Sequence, residues 1–202
     1  MLKNFDINIT IPLAPVAQKR PRFIRNSFRV YDPSAKDKKP FIKFFQENIL
    51  DIDFKKLPSD TVFISEKLPC DTLFIKTTKY KSKYVEFLIN HNKDSCTMQL
   101  NKMSDILPFS TPLNCEIMFN FQRPKTHYLK AGNISNRFKN NYPKLDIDNI
   151  CKFLLDCLQP QKKNNIYTGL IQDDKQIINL TACKTYLNNR ELKPFINLRL
   201  YN

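Results

Sequence analysis

From Ile147 to Leu158, the apolar residues Ile147, Ile150, Cys151, Leu154, Leu155 and Leu158 recur at i, +3, +4, +7, +8 and +11. This is the stripe of an amphipathic helix that must lay one face on other structure. Alternating segments offer that structure. Phe5, Ile7, Ile9 and Ile11 alternate with polar residues up to Pro12, Leu113, Cys115, Ile117, Phe119 and Phe121 do the same, and Ile196, Leu198 and Leu200 close the chain. Period-2 alternation predicts half-buried strands, and a further strand is expected from Ile177 to Tyr186. A second helix is predicted over 40–50, opened by Pro40, with Phe41, Phe44, Phe45 and Ile49 on one face. Residues 51–107 read differently. They are Lys-rich, contain Pro58 and Pro69, and hold short alternations such as Tyr84-Val85-Glu86-Phe87-Leu88-Ile89. An insertion of small strands and loops is expected there, decorating a single domain that spans 1–202.

Glycine is scarce, 2 residues against 13 Pro, so turns must rely on Pro, Asn and Asp. A Gly-rich phosphate loop is excluded, and with it P-loop ATPases and dinucleotide-binding enzymes. The six cysteines Cys70, Cys96, Cys115, Cys151, Cys157 and Cys183 form no Cys-x-x-Cys pair, and are expected to be reduced and mostly buried. Two histidines cannot build a His-rich metal site, and His127, among Arg123, Lys125 and Lys130, is expected as an exposed polar residue. No apolar run approaches the roughly 20 residues needed to span a bilayer. The first twenty positions lack a signal-peptide pattern. The expectation is an intracellular, soluble protein with no membrane partner.

With 33 Lys+Arg against 19 Asp+Glu the formal net charge is +14, which favours a polyanionic partner through counterion release. Lys19, Arg20, Arg22, Arg25 and Arg29, interleaved with Phe23, Phe28 and Tyr31, suit phosphate contacts plus stacking on bases, or else a solvated loop. A second basic run passes through Arg123, Lys125, Lys130, Arg137, Lys139 and Lys144. Against this positive background stands an acidic cluster. Asp146 and Asp148 fall two apart at the helix start, Lys152 follows four residues after Asp148, and Asp173-Asp174 opens the next strand.

In an extended lead into the helix, Asp146 and Asp148 would share a face, and Asp174 would close the cluster if its strand lay beside them. Three carboxylates suit Mg²⁺, with Mn²⁺ as a substitute, because a hard cation prefers oxygen ligands and keeps much of its water. Such an ion polarises a scissile phosphate and acidifies a bound water, while Lys152 would neutralise charge building in the transition state. The plainer alternative is an N-cap acid with an Asp148–Lys152 i,i+4 pair, worth only ~0.3–0.5 kcal/mol. Asp51-Ile52-Asp53 repeats the spacing but lacks the downstream Asn and Lys.

The run from Leu145 to Leu158, then Ile171-Gln172-Asp173-Asp174-Lys175-Gln176-Ile177, then Lys184-Thr185-Tyr186, resembles the RusA-type Holliday junction resolvases. Their signature is an Asp-x-Asp-Asn-x-x-Lys helix start, an Asp-Ala-Leu helix end and an Asp-Asp-x-Gln strand. Lys19-Arg20-Pro21-Arg22 is similar to the Lys-x-Arg-Pro-Arg element of phage members, and Phe121-Gln122-Arg123-Pro124-Lys125 to their Arg-Pro-Lys turn. The resemblance covers about 7–50 and 113–201. It implies an α+β fold with a mixed sheet and helices packed against it, plus the 51–107 insertion. It implies Asp146, Asp148 and Asp174 as metal-binding catalytic carboxylates and Lys152 as the essential amine. The expected partners are branched DNA, four-way junctions above all, and a second copy of the chain in a homodimer that makes paired incisions. Lys19, Arg20, Arg22, Arg25, Arg29, Arg123, Lys125 and Lys144 are then the expected DNA contacts. Cys157 stands where the family has Ala.

Two other classes share part of this pattern. Pro143, Asp146 and Asp173-Asp174-Lys175 loosely mimic a restriction-type nuclease, but leave Asp148, Asn149, Lys152 and Gln176 unexplained. A non-catalytic DNA-binding factor gains nothing from carboxylates facing phosphates.

Overall fold

In the computed structural model, residues 4–20, 22–23, 30–52, 62–67, 74–92, 107–109, 111–160 and 169–202 are described. Alternation becomes strand where expected: β1 is Asn4–Ile11, β7 is Leu113–Gln122, β8 is Ile177–Leu187 and β9 is Phe195–Tyr201. Between β1 and β7 lie the short β2 (Arg22–Phe23) and β3 (Val30–Tyr31), helix α1 (Ala35–Phe45), and β4 (Val62–Lys67), β5 (Phe74–Lys81) and β6 (Val85–Asn92). Helix α2 is Ile147–Leu158.

One sheet runs β4-β5-β6-β1-β9-β7-β8. Its pairs are antiparallel except β7 with β8. The sheet is therefore mixed and the fold α+β. The segment read as a decoration does more than decorate: β6 pairs with β1, so β4–β6 extend the same sheet.

Register explains why the core closes. Ile7 lies level with Leu200 and Cys115, Ile9 with Leu198 and Ile117, and Ile11 with Ile196 and Phe119, all on one face. These rows are buried against α1 and α2. On the opposite face the rows are polar, and Arg199 there donates to both oxygens of Asp6 at 3.1 and 2.9 Å. In α2 the burial is wider than the stripe: Phe153 is 1% exposed and Cys157 is buried as well. The reason is that α1 covers a second side of the helix, with Phe41 edge-on to Phe153 at 5.2 Å between ring centroids. Burial pushes the Cys115 and Cys157 thiols up to about 12, whereas Cys183 is exposed. Cys70 and Cys96 lie outside the described residues.

Helix α1 starts five residues earlier than Pro40 suggested. The Asp32-Pro33-Ser34 turn sets its start: Asp32 Oδ1 accepts from the Ser34 N–H, and the Lys38 N–H donates to the Ser34 carbonyl. Pro40 sits inside the helix on an exposed face, where water can satisfy the carbonyl left without its donor. A π-helical stretch, Gln46–Leu50, continues α1 and buries Ile49 and Leu50.

The two helices are tied by Lys38, whose Nζ lies 2.8 Å from Asp32 and 2.9 Å from Asp156. Burial raises the Asp32 carboxyl, but the Lys38 ammonium and the Ser34 N–H outweigh it and hold it below its ordinary 3.8. Burial likewise lowers Lys38, but its bonds to Asp32 and Asp156 carry it above 10.5. Both contributions are therefore present between these values. The Asp32 part fades as pH falls through its depressed folded value, and the Lys38 part as pH rises through its elevated one. Lys38→Ala should cost about 1–3 kcal/mol at neutral pH by removing the ammonium that bridges two half-buried carboxylates. In urea melts the gap between the two proteins should narrow below pH 3.8. A gap of constant size would mean the ion pairs do not contribute.

One glycine is required by contact. A Cβ on Gly169 would meet backbone atoms, 2.6 Å from Pro160 N and 2.9 Å from Leu158 O, because residues 169–171 pass against the end of α2. The Leu170 N–H donates to the Leu158 carbonyl at 2.8 Å. Gly169→Ala should lose about 1–3 kcal/mol of stability in a denaturant melt, since neither backbone can yield without breaking this turn.

Candidate active site

The β7-α2-β8 crossover positions the acidic residues. At its helix start Pro143 is buried, and Lys184 Nζ from β8 donates to the Leu145 carbonyl at 2.5 Å. Phe119 stands level with Lys184, so the apolar row Ile11-Ile196-Phe119 ends in an amine that pins the chain one residue before Asp146.

Asp146 is the N-cap of α2 by position, with extended backbone, yet its carboxylate takes no backbone N–H of the first turn. Among the described residues Asn149 Nδ2 donates to it, at 3.4 Å. Asp148 and Lys152 are both exposed, and among the described residues no ion pair joins them. The plain alternative of a capping acid and an i,i+4 pair is thus not what these side chains do. Two carboxylates and an ammonium face solvent, and among the described residues none of them is in an ion pair. Below them Cys151 is pushed up to about 11, by burial first and by the Asp148 charge second.

The expected face-sharing of Asp146 and Asp148 fails in its reasoning. Asp148 is already in the first helical turn, where residues two apart diverge. Asp174 is also not where a strand beside the helix start would put it. Since β7 and β8 are parallel, α2 must run back against both strands, so its start adjoins Lys184 near the end of β8. Its far end adjoins Leu170 and Ile171, just before Asp174. The length of α2 therefore separates the two acidic groups, about 18 Å at 1.5 Å per residue. Among the described residues no group of three or more His, Cys, Asp or Glu side chains is placed to hold a metal ion.

The second acidic group is rigidly built. Asp173 Oδ1 accepts from the Lys175 N–H at 2.9 Å, and Gln176 Oε1 accepts from the N–H groups of Gln172 at 2.7 Å and Asp173 at 3.2 Å. The Lys175 N–H, followed by a hydrogen bond with Asp174, holds the Asp173 carboxyl below the usual range. Gln176 Nε2 donates to the carbonyls of Phe109 and Thr111, fastening this turn to the start of β7. This is the physical use of the Gln in the Asp-Asp-x-Gln motif, which spacing alone did not reveal.

Of the basic residues, Lys19 and Arg20 run beside the helix start, where the Gln18 N–H donates to the Asn149 carbonyl at 3.0 Å. Lys19 Nζ is paired with Asp37 at 2.6 Å, while Arg20 is exposed. The side chain of Arg22 and all of Arg25 and Arg29 lie outside the described residues. Lys125 and Lys144 are exposed. Arg123 is not a free contact: it is 6% exposed, donates to the Phe138 carbonyl at 2.7 Å and lies over the Tyr186 ring. Its guanidinium organises the basic loop from within, because the loop folds back over the end of β8. His127 is likewise packed rather than exposed, stacked on Phe138 at 4.3 Å. Asp51, of the repeated Asp-x-Asp spacing, is exposed just past the π-helical stretch, and Asp53 lies outside the described residues. Sequence reasoning missed a role for Lys184, and its place opposite Phe119 in the alternation was the available signal.

Comparison with curated proteins and with solved structures found no match. Among the described residues no helix is long and apolar enough to cross a membrane. A family model described as endodeoxyribonuclease RusA matches residues 75–195, more than half of the chain, from β5 through α2 and both acidic groups to the start of β9. The match opens inside the segment read as an insertion, so β5 and β6 fall within the matched span. Exposed carboxylates at a pinned helix start, a braced Asp-Asp turn, a mixed sheet and this match together mean that the chain belongs to the RusA family of endodeoxyribonucleases.

Proposed function

We propose that the protein is a Mg²⁺-dependent, structure-selective endonuclease that resolves four-way DNA junctions by paired symmetric incision, and that it works as a homodimer. The observation that carries this reading is the exposed trio of Asp146, Asp148 and Lys152, in no ion pair among the described residues, in a chain of net charge +14. Carboxylates left unpaired toward an anionic partner are costly unless a cation joins them.

The donors fit such an ion in kind, being hard carboxylate oxygens, but one chain supplies only two of them at the helix start. A second copy supplies the third economically. Strand β8 is an edge of the sheet and carries Ile178 and Leu180, 68% and 43% exposed. An unpaired edge with apolar residues is a template for another strand. Antiparallel pairing of two β8 edges about a two-fold axis would bring the start of one strand, with its Asp174, toward the end of the other, beside Leu145–Asp148. Asp146 and Asp148 of one copy and Asp174 of the other would then hold the ion. When bound, that ion would supply Lewis acidity toward the phosphate and acidify a coordinated water. Lys152 offers its ammonium to the negative charge that builds on the phosphate oxygens. Lys19, Arg20, Arg22, Arg25, Arg29, Lys125 and Lys144 serve the DNA backbone, with Arg123 shaping their loop. Residues 1–202 act in this reading as one nuclease domain.

The test is cleavage of a synthetic four-way junction, with its duplex arms as controls. Paired nicks at equivalent positions that need Mg²⁺ and spare the duplexes are expected. Nicking of linear duplex at a fixed sequence would favour a restriction-type enzyme, and binding without cutting a recombination or packaging factor.

A further inference from the structure

Four residues before Asp146, Tyr142 holds its ring 73% exposed. Tyrosine at such exposure leaves most of its apolar ring in water, and nothing in the core accounts for it. The backbone on either side is held. The Asn141 N–H donates to the Phe138 carbonyl, Pro143 is buried, and the Leu145 carbonyl takes Lys184 Nζ. The ring is therefore presented on a fixed strut. Lys184 Nζ stands 5.8 Å from its centroid, and the exposed Lys144 follows two residues on. Leu145, 39% exposed, continues the apolar patch toward the acidic helix start.

An aromatic face beside ammonium groups and next to phosphate-cutting carboxylates matches one chemistry, a nucleobase whose own phosphate meets the lysines. Continuous duplex offers no such base, because its faces are occupied by neighbouring pairs. At a branch point stacking is interrupted, so turning a base out costs least there. We propose that Tyr142 is a base-stacking platform that gives the nuclease its preference for branched over continuous DNA, an inference that rests on the junction-resolving reading above. Tyr142 acts as a specificity-determining residue: its ring receives the base adjoining the scissile phosphate and so brings that phosphate to Asp146 and Asp148 only where a base is free to leave the stack.

Affinity for a four-way junction and for its duplex arms is measured in the Asp148→Asn background, which prevents cutting, with Tyr142, Tyr142→Ala and Tyr142→Phe. Tyr142→Ala should lose roughly 10- to 100-fold in junction affinity. Its duplex affinity, the salt dependence of duplex binding and its thermal melt should stay unchanged. Tyr142→Phe should keep the junction preference, because the ring and not the hydroxyl does the stacking. With 2-aminopurine at the branch point, binding should change its fluorescence for the tyrosine and phenylalanine proteins and not for the alanine one. A Tyr142→Ala protein with an unchanged junction-to-duplex ratio, or one that loses both affinities equally, overturns the inference while junction cleavage by the parent stands. A parent with no junction preference at all overturns the inference together with the functional reading beneath it.

Discussion

Asp148→Asn and Asp146→Asn proteins should fold like the parent, bind junction DNA at least as tightly, and cut it about 10³-fold more slowly or worse. Folding is spared because both side chains are exposed and neither caps the helix through its carboxylate. Binding is kept or improved because an amide repels phosphate less than a carboxylate does. The loss in rate follows from the several kcal/mol of charge stabilisation that a metal ion contributes to phosphoryl chemistry, at about 1.4 kcal/mol per factor of ten. Asp174→Asn should behave in the same way, although it lies at the far end of α2. Lys152→Ala should cut about 10²–10³-fold more slowly while still binding Mn²⁺, since it removes a charge that acts on the transition state and not a ligand. Junction affinity, Mn²⁺ binding by calorimetry and single-turnover cleavage are read on each protein. An Asp148→Asn protein that is folded and cuts at the parental rate would falsify the assignment.

Mixing two dead proteins should restore cutting. If each site draws Asp146 and Asp148 from one copy and Asp174 from the other, an Asp148→Asn/Asp174→Asn heterodimer has one site with both defects and one with neither. Random exchange makes about half of the dimers heterodimers, so about a quarter of the sites return. The rescued activity should nick one strand per junction in place of two, because only one site per dimer is sound. Mixing Asp146→Asn with Asp148→Asn should rescue nothing, as both lesions fall in the same half-site. Equal failure of both mixtures, with subunit exchange verified by labelled chains, would place Asp174 outside a shared site.

The strands and the helix stripe were legible because alternation and 3.6-residue spacing record which face is wet. Ile9, Ile117 and Leu198, three segments apart in sequence, ended level in one buried row. Strand direction leaves no such mark. Nothing in the spacing of Asp148 and Asp174 says that β8 runs parallel to β7, and that one fact carries Asp174 to the far end of the helix. Charge was a poor guide to exposure for Arg123, whose buried guanidinium finds a carbonyl and an aromatic ring, partners that no local pattern encodes. The start of α1 was hidden because the Asp32-Ser34 turn competes with Pro40 as a boundary signal, and the turn is completed by the distant Lys19 N–H bonding to the Ser34 hydroxyl. Phe153 escaped the stripe because burial by α1 on a second side is a tertiary fact.

The pairing of β1 with β9 bears on how the molecule is made. Asp6, near one end of the described chain, lies level with Tyr201, near the other, and β9 in turn lies between β1 and β7. During synthesis the first strand therefore waits for residues 195–201 before it has its central neighbour, while β6 pairs with it only as far as Ile9 and leaves Ile11 without a partner strand. Closing so long a loop is entropically slow, and pairings of this range set the pace of folding in sheet proteins. A nascent chain stalled before β9 would hold two half-sheets with exposed apolar edges, a species inclined to aggregate and dependent on chaperones.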